Sequence, residues 1–96
     1  MTRAQVLQQL AASKAELATR FGVTGLALFG SVVRDAARAD SDVDVLVSFD
    51  GPATSARYFG VQFFLEDLLG RPVDLVTNKA LRPELRPYVE REAVHV

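Results

Sequence analysis

Residues 42–49, Asp-Val-Asp-Val-Leu-Val-Ser-Phe, constrain the fold of this chain more than any other segment. Polar and apolar side chains alternate, and the turn signal Asp50-Gly51-Pro52 follows, so Val43–Phe49 reads as a β-strand. Successive side chains of a strand point to opposite faces. Asp42 and Asp44 therefore share one face, while Val43, Val45, Val47 and Phe49 share the other. Carboxylates two residues apart lie roughly 7 Å from each other at about 3.3 Å rise per residue, and between them can hold hard divalent cations. Aspartate is depleted in strands and same-face charges repel, so two of them suit an ordinary solvated face poorly. Leu46 and Ser48, which continue the face, are not strongly polar. Taken alone, the pair fits either a cation site or a polar strand face.

Two neighbouring features bear on that choice. Gly30-Ser31 closes the short apolar run Leu26–Phe29, which is bounded by Gly25 and Gly30 and suits a buried strand. Glycine lets the backbone approach a ligand closely, the Ser31 hydroxyl can donate to a phosphate oxygen, and amides opening a helix favour an anion. Val32–Ala37 reads as that short helix, with Ser31 near its N-cap. An ordinary strand-to-helix turn would use the same residues. Asp74 interrupts Val73-Asp74-Leu75-Val76, an otherwise buried strand. It either caps a turn or, if this strand lies beside Val43–Phe49, joins Asp42 and Asp44 as a third carboxylate. Three clustered carboxylates are unfavourable without a cation. Two Mg²⁺ ions about 4 Å apart would relieve the repulsion, bridge triphosphate oxygens and stabilise a leaving pyrophosphate.

The remaining elements follow from periodicity and punctuation. Val6, Leu7, Leu10, Leu17 and Phe21 recur at helical spacing before Gly22, predicting a helix over about Ala4–Arg20. Arg38-Ala39-Asp40-Ser41 is a polar turn. Tyr58, Val61, Phe64, Leu65, Leu68 and Leu69 form a wide apolar helical face that ends at Gly70. Tyr58, Phe59, Phe63 and Phe64 are expected mostly in the core, with any apolar excess marking a partner interface. Pro83 fits the first turn of a last helix whose regularity Pro87 limits, and Ala93–Val96 suits a short edge strand. The resulting order predicts a small α/β (α+β) fold, helices packed on one sheet, as a single domain over residues 1–96.

Composition narrows the function classes. The formal charge of −1 argues against a protein that grips nucleic acid by electrostatics alone, so no direct nucleic-acid binding is expected. Without cysteine there is neither a disulfide framework nor a thiolate metal site. No apolar run reaches the length of a membrane span, and Arg3, Gln5, Gln8 and Gln9 interrupt any signal-peptide core. These features predict a cytoplasmic protein with no membrane partner. His95, the only histidine, is expected at an edge or surface, and Arg82, Arg86 and Arg91 on a solvated face.

Gly30-Ser31, ten residues, Asp42-Val43-Asp44, and then Asp74 within Val73–Val76 resemble the DNA polymerase β-like nucleotidyltransferase superfamily. The chain is more closely similar to minimal nucleotidyltransferase (MNT) domains, which often act as antitoxins beside HEPN-domain toxins. The likeness extends from the N-terminal helix through Leu69–Val76 to Arg91-Glu92-Ala93-Val94. It implies transfer of AMP from ATP with Mg²⁺, two ions being expected, and release of pyrophosphate. Gly30 and Ser31 match the triphosphate-binding turn, Asp42 and Asp44 two metal-ligating carboxylates, and Asp74 a third that assists deprotonation of the acceptor. In such antitoxins the acceptor is a tyrosine of the partner toxin, whose RNase activity AMP addition abolishes, and the two proteins can form a hetero-oligomer. The family commonly carries Arg-Gly after the turn where this chain has Arg34-Asp35. Arg34 either reaches phosphate or pairs with Asp35 or Asp40, Arg38 shares that ambiguity, and Asp35 adds negative charge near a triphosphate. Two other readings stand beside this one: an antitoxin that neutralises by binding alone, and a nucleotidyltransferase acting on RNA or a small molecule such as an aminoglycoside.

Overall fold

A computed structural model describes residues 2–34, 36, 38 and 41–96. The elements in chain order are α1 (Arg3–Phe21), β1 (Val23–Phe29), a 3₁₀ turn (Gly30–Val32), β2 (Val43–Phe49), α2 (Ser55–Leu69), β3 (Val73–Thr77), a second 3₁₀ turn (Asn78–Ala80), α3 (Arg86–Glu92) and β4 (Val94–His95). The four strands form one mixed sheet in the order β3-β2-β1-β4. β1 runs antiparallel to both β2 and β4, whereas β2 and β3 are parallel. A parallel pair needs a crossover, and α2 supplies it. This is the expected α+β architecture.

Local chemistry explains where the helices begin and end. Thr2 and Gln5 close a capping box at the start of α1: Thr2 Oγ1 accepts the Gln5 N–H at 3.2 Å, and Gln5 Oε1 accepts the Thr2 N–H at 2.9 Å. Gly70 ends α2 in the left-handed conformation, φ 67°. Pro87, not Pro83, occupies the first turn of the last helix, where a missing N–H removes no helical bond. The sequence-based boundary at Pro83 is corrected accordingly.

Both faces of the sheet carry apolar residues, in different amounts. On the back face, Val6, Leu10 and Leu17 of α1 and Val61 and Leu65 of α2 close over Leu26, Leu28, Val43, Val45, Val47, Val73 and Leu75. Each such side chain contributes about 1.5–3 kcal/mol relative to exposure. β1 begins three residues earlier than its apolar run suggests, with Val23 paired to Phe49 and a register shift between Val23 and Gly25. That bulge resets the alternation, so Val23 and Leu26 both reach the back-face core. On the front face, Ala27, Leu46 and Leu81 form a small second cluster, joined by Phe29, Val76, Val89 and Ala93. α3 thus covers one corner of that face through Val89.

β3 is an edge strand, and α2 shields its outer backbone groups. Tyr58 donates its hydroxyl to the Leu75 carbonyl at 2.6 Å, and Gln62 Nε2 donates to the Val73 carbonyl at 3.3 Å. Glu66 Oε2 accepts the Val73 N–H at 2.9 Å. The spacing 58, 62, 66 is one helical stripe, so a single face of α2 satisfies an edge that would otherwise invite pairing. Phe59 and Phe63, expected mostly in the core, are instead 48% and 61% exposed. They flank that stripe on the solvent side and stack on each other with ring centroids 6.2 Å apart. Phe64 and Tyr58 do pack against the back-face core. His95 lies exposed on β4, opposite Ala27. Among the described residues no helix is long and apolar enough to cross a membrane.

Candidate active site

β2 and β3 bring two of the three expected carboxylates to the same height. Asp44 stands directly opposite Asp74 in the parallel ladder, between the back-face pairs Val43–Val73 and Val45–Leu75. Alternation therefore turns both aspartates to the front face. Asp42 precedes β2 and is exposed. Its segment is tied down from the β3 side: Arg71 Nη2 donates to the carbonyls of Arg38 and Ser41, at 2.6 Å each, and the Val43 N–H donates to the Pro72 carbonyl at 2.9 Å. Arg38 is exposed and joined to Ser41, whose hydroxyl accepts its N–H at 2.8 Å. Asp35, Ala37, Ala39 and Asp40 lie outside the described residues, and with them the end of the expected helix Val32–Ala37, part of the polar turn, and the Asp35 and Asp40 partners considered for Arg34.

The Asp44 carboxyl is pushed up from 3.8 to about 6. Burial is the largest cause, followed by the charge of Asp74, a shared hydrogen bond with Asp74 and the charge of Asp42; the Ser31 amide, bonded to the carboxylate, works in the opposite direction. The congestion is of the kind a divalent cation relieves, so this donor set fits a hard metal. The three side chains are nonetheless not drawn together: among the described residues no group of three His, Cys, Asp or Glu side chains is close enough to hold an ion. Asp44 and Asp74 are the assembled part, and Asp42 stands nearby.

Gly30-Ser31 borders the carboxylates, in a way the sequence reading did not anticipate. The turn is a single 3₁₀ turn with Phe29 at its N-cap, so Ser31 lies within the turn and caps nothing. Three residues build too little dipole to draw an anion, and the expected amide cradle is spent otherwise. Gly30, at φ 79°, presses so closely on Asp44 that an added Cβ would fall within its carboxylate. The Gly30 N–H donates to Glu92 Oε1 at 2.9 Å, and the Ser31 amide favours the charged form of Asp44. Among the described residues, the donors left near the turn are the Ser31 hydroxyl and the other N–H groups of Arg34. Arg34 pairs with Glu92 at 2.7 Å, a partner not foreseen among its surface alternatives.

Glu92 and Arg71 are the two residues that sequence reasoning missed. Neither has a local signature, because their partners lie 58 and 62 residues away for Glu92 and 30 and 33 for Arg71. Cavities of about 170 Å³ (lined by Ser48, Phe49, Thr77 and Asn78 among others) and about 90 Å³ (reached by Ala27, Leu46 and His95) touch none of the three aspartates. The carboxylates sit on an open face.

Comparison with known proteins identifies the family. Residues 10–96 match the nucleotidyltransferase domain family. The chain belongs to that family. It is 41% identical over 96 residues to the protein adenylyltransferase MntA of Thermococcus cleftensis, covering 100% of this chain and 97% of that one. A solved structure described as a minimal nucleotidyltransferase superposes with a TM-score of 0.82 at 38% identity, covering 98% of this chain and 95% of its own. The fold also matches a chain in the complex of a tri-AMPylated Shewanella oneidensis HEPN toxin with an MNT antitoxin, at TM-score 0.61 and 17% identity, covering 97% and 66%. The family expectation and the minimal nucleotidyltransferase fold both hold, and with them the enzyme class.

Proposed function

We propose that this protein transfers AMP from ATP to a hydroxyl of a protein partner, a HEPN-type RNase toxin, and so acts as its antitoxin. The observation that carries the reading is the Asp44–Asp74 pair facing across β2 and β3 beside Gly30-Ser31. The name of the Thermococcus relative supports protein adenylylation, and the Shewanella complex supports the toxin as acceptor, a tyrosine being the residue we assign.

In this reading Ser31 and Arg34 donate hydrogen bonds to phosphate oxygens and orient the triphosphate. The acceptor oxygen attacks the α-phosphorus, the bond from that phosphorus to the bridging oxygen breaks, and pyrophosphate leaves. Asp74, exposed beside Asp44, takes the acceptor proton and passes it to solvent. Asp42, Asp44 and Asp74 would hold Mg²⁺, two ions in this assignment, which when bound supplies charge neutralisation to the triphosphate. The open front face leaves the acceptor pocket to be completed by the partner.

The test is label transfer from α-labelled ATP to the candidate toxin in the presence of Mg²⁺. Label is expected on the toxin with wild-type protein and none with a folded D44A variant. Equal labelling by D44A would refute the mechanism. Neutralisation by a triple Asp42, Asp44 and Asp74 alanine variant as effective as wild type would instead assign the protein as a binding-only antitoxin.

A further inference from the structure

We infer that Glu92 is a positioning residue for the nucleotide turn, fixing the backbone at Gly30 and the Arg34 guanidinium so that Ser31 and Arg34 are placed to receive a triphosphate. The inference rests on the nucleotidyl-transfer reading above. One carboxylate makes both contacts through different oxygens: Oε1 accepts the Gly30 N–H at 2.9 Å, and Oε2 accepts Arg34 Nη1 at 2.7 Å. Glu92 is the last residue of α3, and β4 pairs with β1 two residues from Gly30, so both ends of this bridge are anchored in the sheet.

On its other side the same turn is bounded by Asp44. The Asp44 carboxylate fills the space that a Cβ at Gly30 would occupy. Gly30 is therefore clamped between a carboxylate from α3 and one from β2. Because the left-handed φ of 79° is open to glycine at little cost, the backbone there is intrinsically loose, and the two carboxylates remove that freedom.

Arg34 gains as well. Its guanidinium has five N–H donors in a fixed fork, of which the Glu92 bond uses one. The Arg34 side chain is 56% exposed while that of Glu92 is 27% exposed, so the pair is anchored on its more sheltered side. Arg34 is thus ordered in advance of the ligand, which reduces the entropy a flexible arginine would lose on binding. A carboxylate at this point could also act as a lock, occupying donors that phosphate needs. Burial argues for positioning: Gly30 is buried and its N–H is satisfied within the chain, so a displaced Glu92 would leave a buried donor unpaired.

The experiment is direct binding of ATP with Mg²⁺ to wild-type, E92A, E92Q and R34A proteins, with exchange of the Gly30 amide followed by NMR in the ligand-free proteins. Loss of a charge-assisted contact should raise the Kd of E92A about tenfold and accelerate Gly30 exchange. E92Q keeps an acceptor for the Gly30 N–H, so it should retain slow exchange and weaken binding by only about threefold. If E92A does not fold, E92Q and R34A carry the measurement. An unchanged Kd in E92A, or in E92Q if it must stand alone, overturns the proposal; a lowered Kd identifies a lock instead. If wild-type protein binds ATP and the variants match it, this inference alone fails. If wild-type protein binds no ATP, the nucleotidyl-transfer reading fails and takes this inference with it.

Discussion

The back face of the sheet is closed over by two helices, whereas among the described residues the front face is covered at one corner, by α3 and Leu81. β2 contributes to both. Its Val43, Val45 and Val47 are fully buried beneath α1 and α2, while Asp44 and Ser48 on the reverse are half-buried and Leu46 rests in a cluster of three buried residues. The difference teaches how a small chain separates two demands. Apolar burial on one side stabilises the strand strongly enough to hold charged groups on the other at a spacing they would not choose for themselves. The front face can then tolerate a carboxyl raised to about 6, an unfavourable feature in a stability-optimised surface.

If that division is correct, substitutions on the two faces should affect different measurements. The largest effect is expected at Asp44. D44A should lower the rate of AMP transfer by about 1000-fold or more, roughly 4 kcal/mol of transition-state stabilisation, with its circular dichroism unchanged. Loss of the fold in D44A would show that the faces are not separable. Next comes the back face: L65A, at a position with no exposure, should destabilise by about 3 kcal/mol in urea unfolding. Transfer at a temperature where it remains folded should stay near wild type, and a matching loss of rate would break the comparison.

A smaller effect tests the strain on the front face. In metal-free protein the native Asp44 carboxyl holds a proton, between pH 3.8 and about 6, that the unfolded chain has released. Its contribution to stability is therefore present at low pH and lost as pH rises through that window. With allowance for solvent at a half-buried group, the loss is about 1 kcal/mol. D44N should remove this part of the pH dependence, as read from urea midpoints in chelator at acid and neutral pH. A wild-type slope retained in D44N would contradict the assignment. The smallest effect is expected outside both faces. F63A, at a 61% exposed position, should change stability by no more than about 0.5 kcal/mol, and a larger loss would place Phe63 in a contact made within the folded chain.

Much of the fold was legible because it rests on local rules. The bounds of β2 follow from its alternation and the Asp50-Gly51-Pro52 turn, α1 and α2 from helical periodicity ended by Gly22 and Gly70, and the meeting of Asp44 with Asp74 from two aspartates set in otherwise apolar strands. What escaped was non-local or geometric. Nothing in the order of residues says that the turn after β1 tightens to 3₁₀, nor that the apolar stripe of α2 leaves Phe59 and Phe63 in solvent while Tyr58, Gln62 and Glu66 turn to the edge of β3. The Glu92 partner of Arg34 escaped for the same reason. Nearby acidic residues were the natural candidates, and the observed one arrives from the far end of the chain.

The alternation in β2 has one more consequence. A strand that slips by one residue exchanges its faces completely, and here it would drive Asp44 beneath α1 and α2 and expose Val43 and Val45. Such a misaligned chain pays heavily at every position and does not persist. Folding therefore acts as an inspection of the chemistry: a molecule stable enough to accumulate is one whose carboxylates already face outward, and inactive but well-folded register isomers are excluded from the population.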